Sequence, residues 1–466
     1  MPEHPAEQAP PGRGLRALSG MPEKPSGDPG LAVEHPVQQA DPGLPLPPRP
    51  PDQQQAMRAL FHNRDFSLLW AGQLFSQIGD QCLLIAAITL ISNLSRSPLA
   101  MLIPAISIAV PQLVFGLVGG VMADRWNRRL VMIVADIMRG LIVLCVLFVT
   151  RFQDLWILYL AAAGLALMGV FFYPARNAVI PNIVPPNLLL AANGLIQGSY
   201  IIALILGPVI AGAAVEVWAP SAIVLDSASF FISAILITVM SIPEVVPELA
   251  HAAGDNTVWE DMKAGLSFIR HHRDLRQVLA ITAIATLGIG AIVLLAIPHL
   301  KEELEASGLE YGIAMSMLGL GSVLGGLMVS RLSRRLSTST IVGGMLIAAG
   351  IAIIAFAFAP NYAVVLVSIA IIGMCVVMAR GALDTISQAL SPDAVRGRVQ
   401  SAVNMLVVAA TAMAEGVSAM LGSLIGVQVV FGAAGVVTAL TGVVAIFVLR
   451  GAARLVSRGT VVGEVT

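Results

Sequence analysis

Charge is what this chain has least of, and the shortage excludes an ordinary soluble domain. Only 12% of its 466 residues are Asp, Glu, Lys or Arg, whereas 57% are hydrophobic. The mean hydropathy is +0.84. Soluble domains carry about twice as large a share of charged residues. The composition therefore places the chain in a lipid bilayer, and the formal net charge of -1 gives no reason to expect a nucleic-acid partner.

Residues that build metal, redox or catalytic centres are also scarce. The three cysteines, Cys82, Cys145 and Cys375, lie inside apolar stretches with no metal or disulfide spacing. None of the seven histidines lies in the central part of an apolar stretch, and the chain has no Gly-Lys-Ser/Thr phosphate-binding motif. We therefore expect no enzymatic activity or catalytic residues, no cofactor, no metal site and no direct coupling to ATP.

Proline is concentrated at one end. Residues 1–55 hold 14 of the 28 prolines, mixed with Gly, Glu, Gln and Asp. Such a segment buries too little apolar surface to offset the entropy lost on ordering. We predict a disordered cytoplasmic tail over 1–55. It lacks the basic region and apolar core of a signal peptide.

The remainder is organised in apolar runs that alternate with short polar breaks. A helix rises about 1.5 Å per residue, so a run of roughly 20 residues crosses a hydrocarbon core of about 30 Å. We predict an all-α membrane protein with twelve transmembrane helices. The predicted spans are 66–92, 98–122, 130–150, 155–176, 190–214, 221–242, 276–298, 311–330, 339–359, 362–380, 400–424 and 428–449.

Positive charges set the orientation, because short cytoplasmic loops retain Lys and Arg. Seventeen Lys or Arg residues fall on the side of the chain ends, leaving out the disordered tail. The opposite side carries three, Arg96, Arg151 and Lys301. We therefore expect a multi-pass protein of the plasma membrane with both termini in the cytoplasm.

The chain repeats itself. "GGVMADRWNRRL" at 119–130 returns as "GGLMVSRLSRRL" at 325–336, each after the second span of a six-span set. "YPARNAV" and "VMARGAL" likewise put Arg176 and Arg380 at equivalent positions. We predict two pseudo-symmetric six-helix bundles, 56–242 and 276–450, and a cytoplasmic tail over 451–466. Between the bundles we expect a linker over 243–275, whose helix lies on the membrane surface or is exposed to solvent.

These repeated loops resemble the major facilitator superfamily. Gly120, Asp124, Arg125, Arg128 and Arg129 fit its loop signature. The stretches "SQIGDQ", "YPARNAVIPNIV", "LDSASFFISA" and "RGRVQS" are similar to the branch containing bacterial drug exporters and the enterobactin exporter. The resemblance implies alternating access, in which the two halves rock about a central cavity, and a protein that works as a monomer.

The aspartate of the first loop suggests a cytoplasmic gate. A carboxylate at Asp124 can bind the free amides at the start of the eleventh span, near Arg396 and Arg398, and hold the halves together. Ser330 stands at the equivalent position of the second copy, which fits either an asymmetric gate or drift in a loop that only fixes topology. We expect Arg176 and Arg380 to contact these loops.

Charges inside the spans are costly and are candidates for function. We take Asp80 and Glu415 as candidates for proton coupling, and a packed, hydrogen-bonded Glu415 remains an equal alternative. Asp136 and Arg139, three residues apart, are expected to form a membrane ion pair. Asp226, beside Ser227 and Ser229, is expected to make a capping or inter-helix hydrogen bond.

The motif "GPVIAG" in the fifth span resembles the family's antiporter signature, through Gly207, Pro208 and Gly212. Proline and glycine also favour a kinked, closely packed helix between the halves, with no directional meaning. The resulting hypothesis is a secondary transporter that exports amphipathic small molecules, a drug or a siderophore, in exchange for protons. A lipid flippase or uptake transporter of the same fold, or a membrane sensor that does not transport, remains as an alternative.

Overall fold

A computed structural model describes residues 53–95, 100, 102–218, 220–242 and 267–451. Of the predicted tails, 1–55 and 451–466, residues 1–52 and 452–466 lie outside the described residues, as do residues 243–266 of the predicted linker. Residues 53–55 and 451 are helical. Everything described belongs to the compact unit Pro51–Thr466.

The described residues form helices and no strand. One short helix, α1, precedes the predicted spans. Within the first half the helices are α1 (Gln53–His62), α2 (Arg64–Leu94), α3 (Leu102–Arg125), α4 (Arg128–Cys145), α5 (Leu155–Ile183), α6 (Leu189–Val217) and α7 (Ser221–Val239). Three short 3-10 segments accompany them, Val146–Phe148, Phe152–Asp154 and Pro186–Leu188. The second half contains α8 (Arg273–Leu304), α9 (Gly308–Leu332), α10 (Thr338–Ala357), α11 (Tyr362–Ala389), α12 (Asp393–Ile425) and α13 (Val427–Val448).

The all-α membrane fold is confirmed. Among the described residues, 11 helices are long and apolar enough to cross a membrane. Helix α3 occupies the second predicted span, and its described apolar part, Leu102–Gly116, is shorter. Two ends were predicted too early, because α5 continues beyond Arg176 to Ile183 and α11 beyond Arg380 to Ala389. The predicted spans ended where hydropathy falls, whereas arginine is a good helix former, so each helix continues past its arginine.

The two halves repeat the same packing. In the first half α2 packs on α6 and α7, α4 packs on α5 and α7, and α3 packs on α5. Adding six to each label gives the contacts of the second half: α8 with α12 and α13, α10 with α11 and α13, and α9 with α11. The predicted pseudo-symmetry is therefore present in the helix packing.

Polar caps fix where several helices begin. The side chain of Asn63 accepts a hydrogen bond from Phe66 N at 3.1 Å, and its Nδ2 donates to Ile183 O at 2.6 Å. Ser307 and Glu310 form a reciprocal capping box at the start of α9. Since unsatisfied amides at a helix start are costly, these caps hold the helix ends in register.

Close contact between the halves is concentrated on α6 and α9. A Cβ atom on Gly212 would collide with the backbone oxygen of Gly308, and one on Gly312 with that of Pro208. The antiporter-like motif thus lies where its composition predicts, at a tight contact between halves. All these residues lie toward the end of α6 that is farthest from the chain termini, hereafter the outer side.

We predict that Gly312→Ala destabilises the protein, because the added methyl group would meet the backbone of α6. Overpacking of this kind costs about 1–3 kcal/mol. Gly326→Ala in the same helix is the matched control, since nothing lies within 4 Å of its Cβ position. Thermal unfolding of the purified variants in detergent measures the difference. Equal midpoints for both variants would contradict the close contact.

Candidate functional site

The candidate site is a cavity of about 640 Å³ in the membrane interior. Apolar side chains from α2, α3 and α5 form most of its wall, among them Leu84, Ile88, Ile108 and Leu165. Asp80 on α2 and Glu415 on α12 both line it. The two acidic residues proposed from the sequence therefore face the same space from opposite halves.

Arg139 brings the acidic residues of the first half together. Its Nη1 lies 3.4 Å from Asp136 Oδ1, as expected for the predicted ion pair. The carboxyl groups of Asp80 and Asp226 also lie within electrostatic reach of the guanidinium group. Residues that looked independent in the sequence, on α2, α4 and α7, thus form one cluster, hereafter the acidic cluster: Asp80, Asp136, Arg139 and Asp226.

Aromatic rings enclose the arginine. The Arg139 guanidinium carbon lies 4.5 Å from the ring centre of Phe172, 5.4 Å from that of Tyr173 and 5.5 Å from that of Phe230. Rings stabilise a cation by cation–π attraction, most strongly where water is excluded. Arg139, Tyr173 and Phe230 also line the cavity. Sequence reasoning missed this aromatic cage, since its members lie on different helices.

The carboxyl groups of the acidic cluster differ in how far they are buried. Asp80 is exposed and lines the cavity. Asp136 and Asp226 are each 0% exposed. Asp136 Oδ2 and both carboxyl oxygens of Asp226 have no hydrogen-bond partner in the described structure. The prediction of a hydrogen bond from the Asp226 side chain is therefore wrong. The neighbouring hydroxyl groups bind backbone oxygens instead: Ser229 donates to Asp226 O, and Ser227 donates to Gly140 O.

A polar stripe on α2 continues the site toward the chain termini. Arg176 Nη1 donates to Gln73 Oε1 at 2.9 Å, and Ser199 Oγ donates to Gln77 Oε1 at 3.1 Å. Gln81 lines the cavity. The three glutamines recur every four residues, which places them on one helix face. That spacing was a readable signal that sequence reasoning did not use.

The loop motif is described in part. Arg128 Nη1 donates to Ala178 O at 3.2 Å, and Arg129 Nε to Ile237 O at 3.4 Å, which ties the start of α4 to the carboxyl-terminal ends of α5 and α7. The side chains of Asp124, Arg125, Arg396 and Arg398 lie outside the described residues, and the surroundings of Gly120 are not described either. The predicted cytoplasmic gate thus stays a prediction.

Arg176 and Arg380 were expected to contact the loops. Within the described chain, Arg176 bonds Gln73 on α2 and the neighbouring Asn177. Arg380 Nε lies 3.1 Å from both carboxyl oxygens of Asp384, one turn further along the same helix. Arg380 Nη2 also donates to Asn404 Oδ1 on α12 at 3.5 Å. The described partners of both arginines are therefore on helices.

Polar contacts between the halves lie on the outer side. Glu216, in the last turn of α6, accepts a hydrogen bond from the backbone N of Leu309 at the start of α9, at 3.1 Å. Lys301 at the end of α8 donates to Asn93 near the end of α2, and Ser316 Oγ donates to Ile205 O. Together with the glycine contact, they join the halves on the side away from the termini.

No group of three or more His, Cys, Asp or Glu side chains could hold a metal ion in the part of the chain that is described. The site instead combines an apolar wall, two cavity-facing carboxyl groups and a caged arginine. Such a combination suits binding of an amphipathic molecule and exchange of protons.

Comparison with known proteins gives a consistent result. The sequence pattern of the Major Facilitator Superfamily matches residues 69–410, with a second match over 278–461. The multidrug efflux pump Tap of Mycolicibacterium fortuitum is 26% identical over 398 residues, 83% of this chain and 94% of that protein. Macrolide efflux protein A of Streptococcus pyogenes is 26% identical over 219 residues, 46% of this chain. The chain spans about half the length of this and other curated relatives that it matches, 54%.

Solved structures show the same fold. A bacterial homologue of the human lysosomal transporter Spinster, in an inward-facing and unoccupied conformation, superposes with a TM-score of 0.64. It is 15% identical, and the match covers 88% of this chain and 97% of that one. At this identity the likeness concerns the fold alone.

We predict that Glu216→Ala loosens the outer contact, because the start of α9 loses a carboxylate that binds its free amide. Removing such an interaction costs about 0.3–1 kcal/mol, a roughly two- to fivefold shift in the population open to the outer side. Ser316→Cys, buried between the halves, reports the change in a chain with the three native cysteines replaced. The labelling rate with a membrane-impermeant maleimide should rise two- to fivefold.

The control for this measurement is Glu302→Ala, which removes an exposed carboxylate near the outer end of α8. Its labelling rate should equal that of the parent protein. An unchanged rate in Glu216→Ala would mean that Glu216 does not hold the halves together.

Proposed function

The chain belongs to the Major Facilitator Superfamily, and from that premise we propose that it exports amphipathic small molecules across the plasma membrane in exchange for protons. It is a multi-pass membrane transporter with relatives that are macrolide and multidrug efflux proteins. One observation carries the finer proposal: Asp80 and Glu415, from opposite halves, line one largely apolar cavity.

The cavity favours an amphipathic substrate with a positive charge. Its apolar wall binds a hydrophobic body, and the carboxylates of Asp80 and Glu415 attract a cationic group. Attraction between charges is strong where water is scarce. A neutral macrolide or a siderophore would instead rely on the apolar wall and on the polar side chains of Gln81, Gln112 and Tyr173.

Proton exchange follows from competition for the same carboxyl groups. Asp80 holds either a proton or the cationic group of a substrate, because a carboxylate that faces a largely apolar cavity in the membrane is stabilised by a compensating positive charge. Substrate arriving from the cytoplasm then releases a proton, and a proton arriving from outside releases the substrate. Glu415 acts in the same way from the second half.

Alternating access requires that the halves separate on one side while they meet on the other. With both termini in the cytoplasm, as the distribution of Arg and Lys favours, the contacts at Glu216, Lys301 and Gly212 close the outer side. The arrangement corresponds to an inward-facing conformation. Asp124 is proposed to hold the cytoplasmic side closed in the opposite state, by binding the amides at the start of α12.

Everted membrane vesicles test the proposed function. Vesicles that contain the purified chain are energised with a pH gradient, and a cationic dye, a macrolide and a catecholate siderophore are added in turn. Export in exchange for protons predicts that at least one of them collapses the gradient. If none does so with folded protein, the proposal fails, and a lipid flippase or a sensor without transport takes its place.

Asp80→Asn is predicted to abolish this collapse, down to the level of vesicles without the protein, because the variant has no exchangeable proton at that position. Glu415→Gln tests the second carboxyl group, and Glu302→Gln, outside the cavity, is the control that should behave like wild type. Thermal unfolding of the purified Asp80→Asn protein, compared with wild type, shows whether the variant is folded. A full response in Asp80→Asn would remove Asp80 from the coupling path.

A further inference from the structure

Asp226 is the buried acidic residue that the proposed function leaves unused. It is 0% exposed, and neither carboxyl oxygen has a hydrogen-bond partner in the described structure. The hydroxyl groups beside it are engaged elsewhere, Ser227 with Gly140 O and Ser229 with the Asp226 backbone oxygen. A carboxylate ion without donors is far less stable in such a site than the neutral acid.

Asp226 points at the backbone of α2, directly beside Asp80. A Cβ atom built on Gly79 would lie 2.5 Å from Asp226 Oδ1. Glycine at position 79 therefore allows the carboxyl group to approach α2 with no side chain between them. The next residue, Asp80, faces the cavity. The two carboxyl groups interact electrostatically, one inside the packed helices and the other at the cavity wall.

The balance of charges in the acidic cluster also favours a protonated carboxyl group. Arg139 is its only basic residue, and its Nη1 lies next to Asp136 Oδ1. Three ionised carboxyl groups around one guanidinium group would leave an excess of two negative charges in a medium of low dielectric constant. Like charges in such a medium repel strongly, so carboxyl groups that share a site retain a proton.

The other groups around Asp226 do not supply the missing positive charge. Helix α7 packs on α2, α4 and, less extensively, α6. On α2, Asp226 faces the carboxyl group of Asp80 and the thiol of Cys82. On α4, it faces Arg139 and its partner Asp136. The ionisable residues of α6 are Tyr200, which is exposed, and Glu216, which binds α9 at the outer end.

We propose that Asp226 is a proton-storing residue that stays protonated in this conformation, next to Asp80. With Asp226 neutral, Asp80 is the carboxyl group of the pair that exchanges its proton for a cation. When the cation binds, the O–H bond of Asp80 breaks and the proton leaves through the cavity that Asp80 lines. Its part in transport rests on the proposed proton exchange, whereas the stored proton does not.

Infrared difference spectroscopy tests the stored proton directly. The purified full-length chain in lipid nanodiscs, without substrate or gradient, is titrated with pH while the C=O stretching band of protonated carboxyl groups is recorded. Asp226→Asn, which matches the protonated residue in shape, should lose the Asp226 component of this band. Glu302→Gln, a change at an exposed carboxylate, should retain it.

A second variant, which keeps Asp226 in place, tests the proposal if Asp226→Asn does not fold. Asp80→Asn removes the neighbouring negative charge that favours the protonated form, so the Asp226 band should disappear at a pH lower by about one unit or more. A wild-type spectrum in Asp226→Asn would overturn the proposal. An unshifted titration in Asp80→Asn would also overturn it. The proposal would fail as well if the band survives in Asp226→Asn and vanishes in Asp80→Asn or Asp136→Asn, because the proton would then lie on Asp80 or Asp136.

The spectroscopic result is independent of the vesicle experiment. If the band is assigned to Asp226 but no substrate collapses a pH gradient, the stored proton stands and proton-coupled export fails. If gradients collapse but Asp226→Asn leaves the band unchanged, export stands and proton storage at Asp226 fails.

Discussion

A charge inside the hydrocarbon core must be paired, neutralised or exposed to water, and this constraint accounts for the polar residues of the chain. Arg139 pairs with Asp136, Arg176 with Gln73 and Arg380 with Asp384. Asp80 and Glu415 face the cavity instead. Asp226 is buried without a hydrogen-bond partner in the described structure, and the proposed stored proton would let it meet the constraint as a neutral acid.

The two halves share their packing but not their chemistry. Helices α2, α4 and α7 carry the acidic cluster, whereas their counterparts α10 and α13 contain no charged residue, and α8 has none between Arg276 and Lys301. The second half has close glycine contacts instead, such as Gly343 with Gly442 and Gly350 with Gly435. We infer that most of the proposed proton chemistry lies in the first half, while the second half contributes Glu415.

Hydropathy and the repeated loops were enough to predict the spans, the duplication and the contact at Gly207–Gly212, because these features depend on local composition. The ends at Arg176 and Arg380 were predicted too early, since hydropathy falls at an arginine although arginine is a good helix former. The acidic cluster could not be predicted in this way. Asp80, Asp136 and Asp226 lie on three helices, and only the packing order and the rotation of each helix bring them together. Glu216 resembles an ordinary loop charge until α9 is placed against it.

The contact at Glu216 helps to explain why only the first copy of the repeated loop has an aspartate, Asp124. The pseudo-symmetry that pairs α6 with α12 and α9 with α3 also relates the α6–α9 contact to the α3–α12 contact. On the outer side a carboxylate at the end of α6 binds the start of α9. The gate proposed for Asp124 repeats that arrangement on the cytoplasmic side, at the end of α3 and the start of α12. Neither carboxylate has a counterpart in the other half, since Ser330 replaces the aspartate at the end of α9 and the last turn of α12 has no acidic residue.

Each side would then be closed in part by one carboxylate at one helix start, an interaction worth about 0.3–1 kcal/mol. Since these two carboxylate contacts are weak and of similar strength, they favour neither conformation strongly. A substrate or a proton that binds one conformation somewhat better can then shift the balance. A second carboxylate on either side would favour one closed state and slow the exchange, so a single aspartate in the repeated loop is consistent with a transporter that must open on both sides.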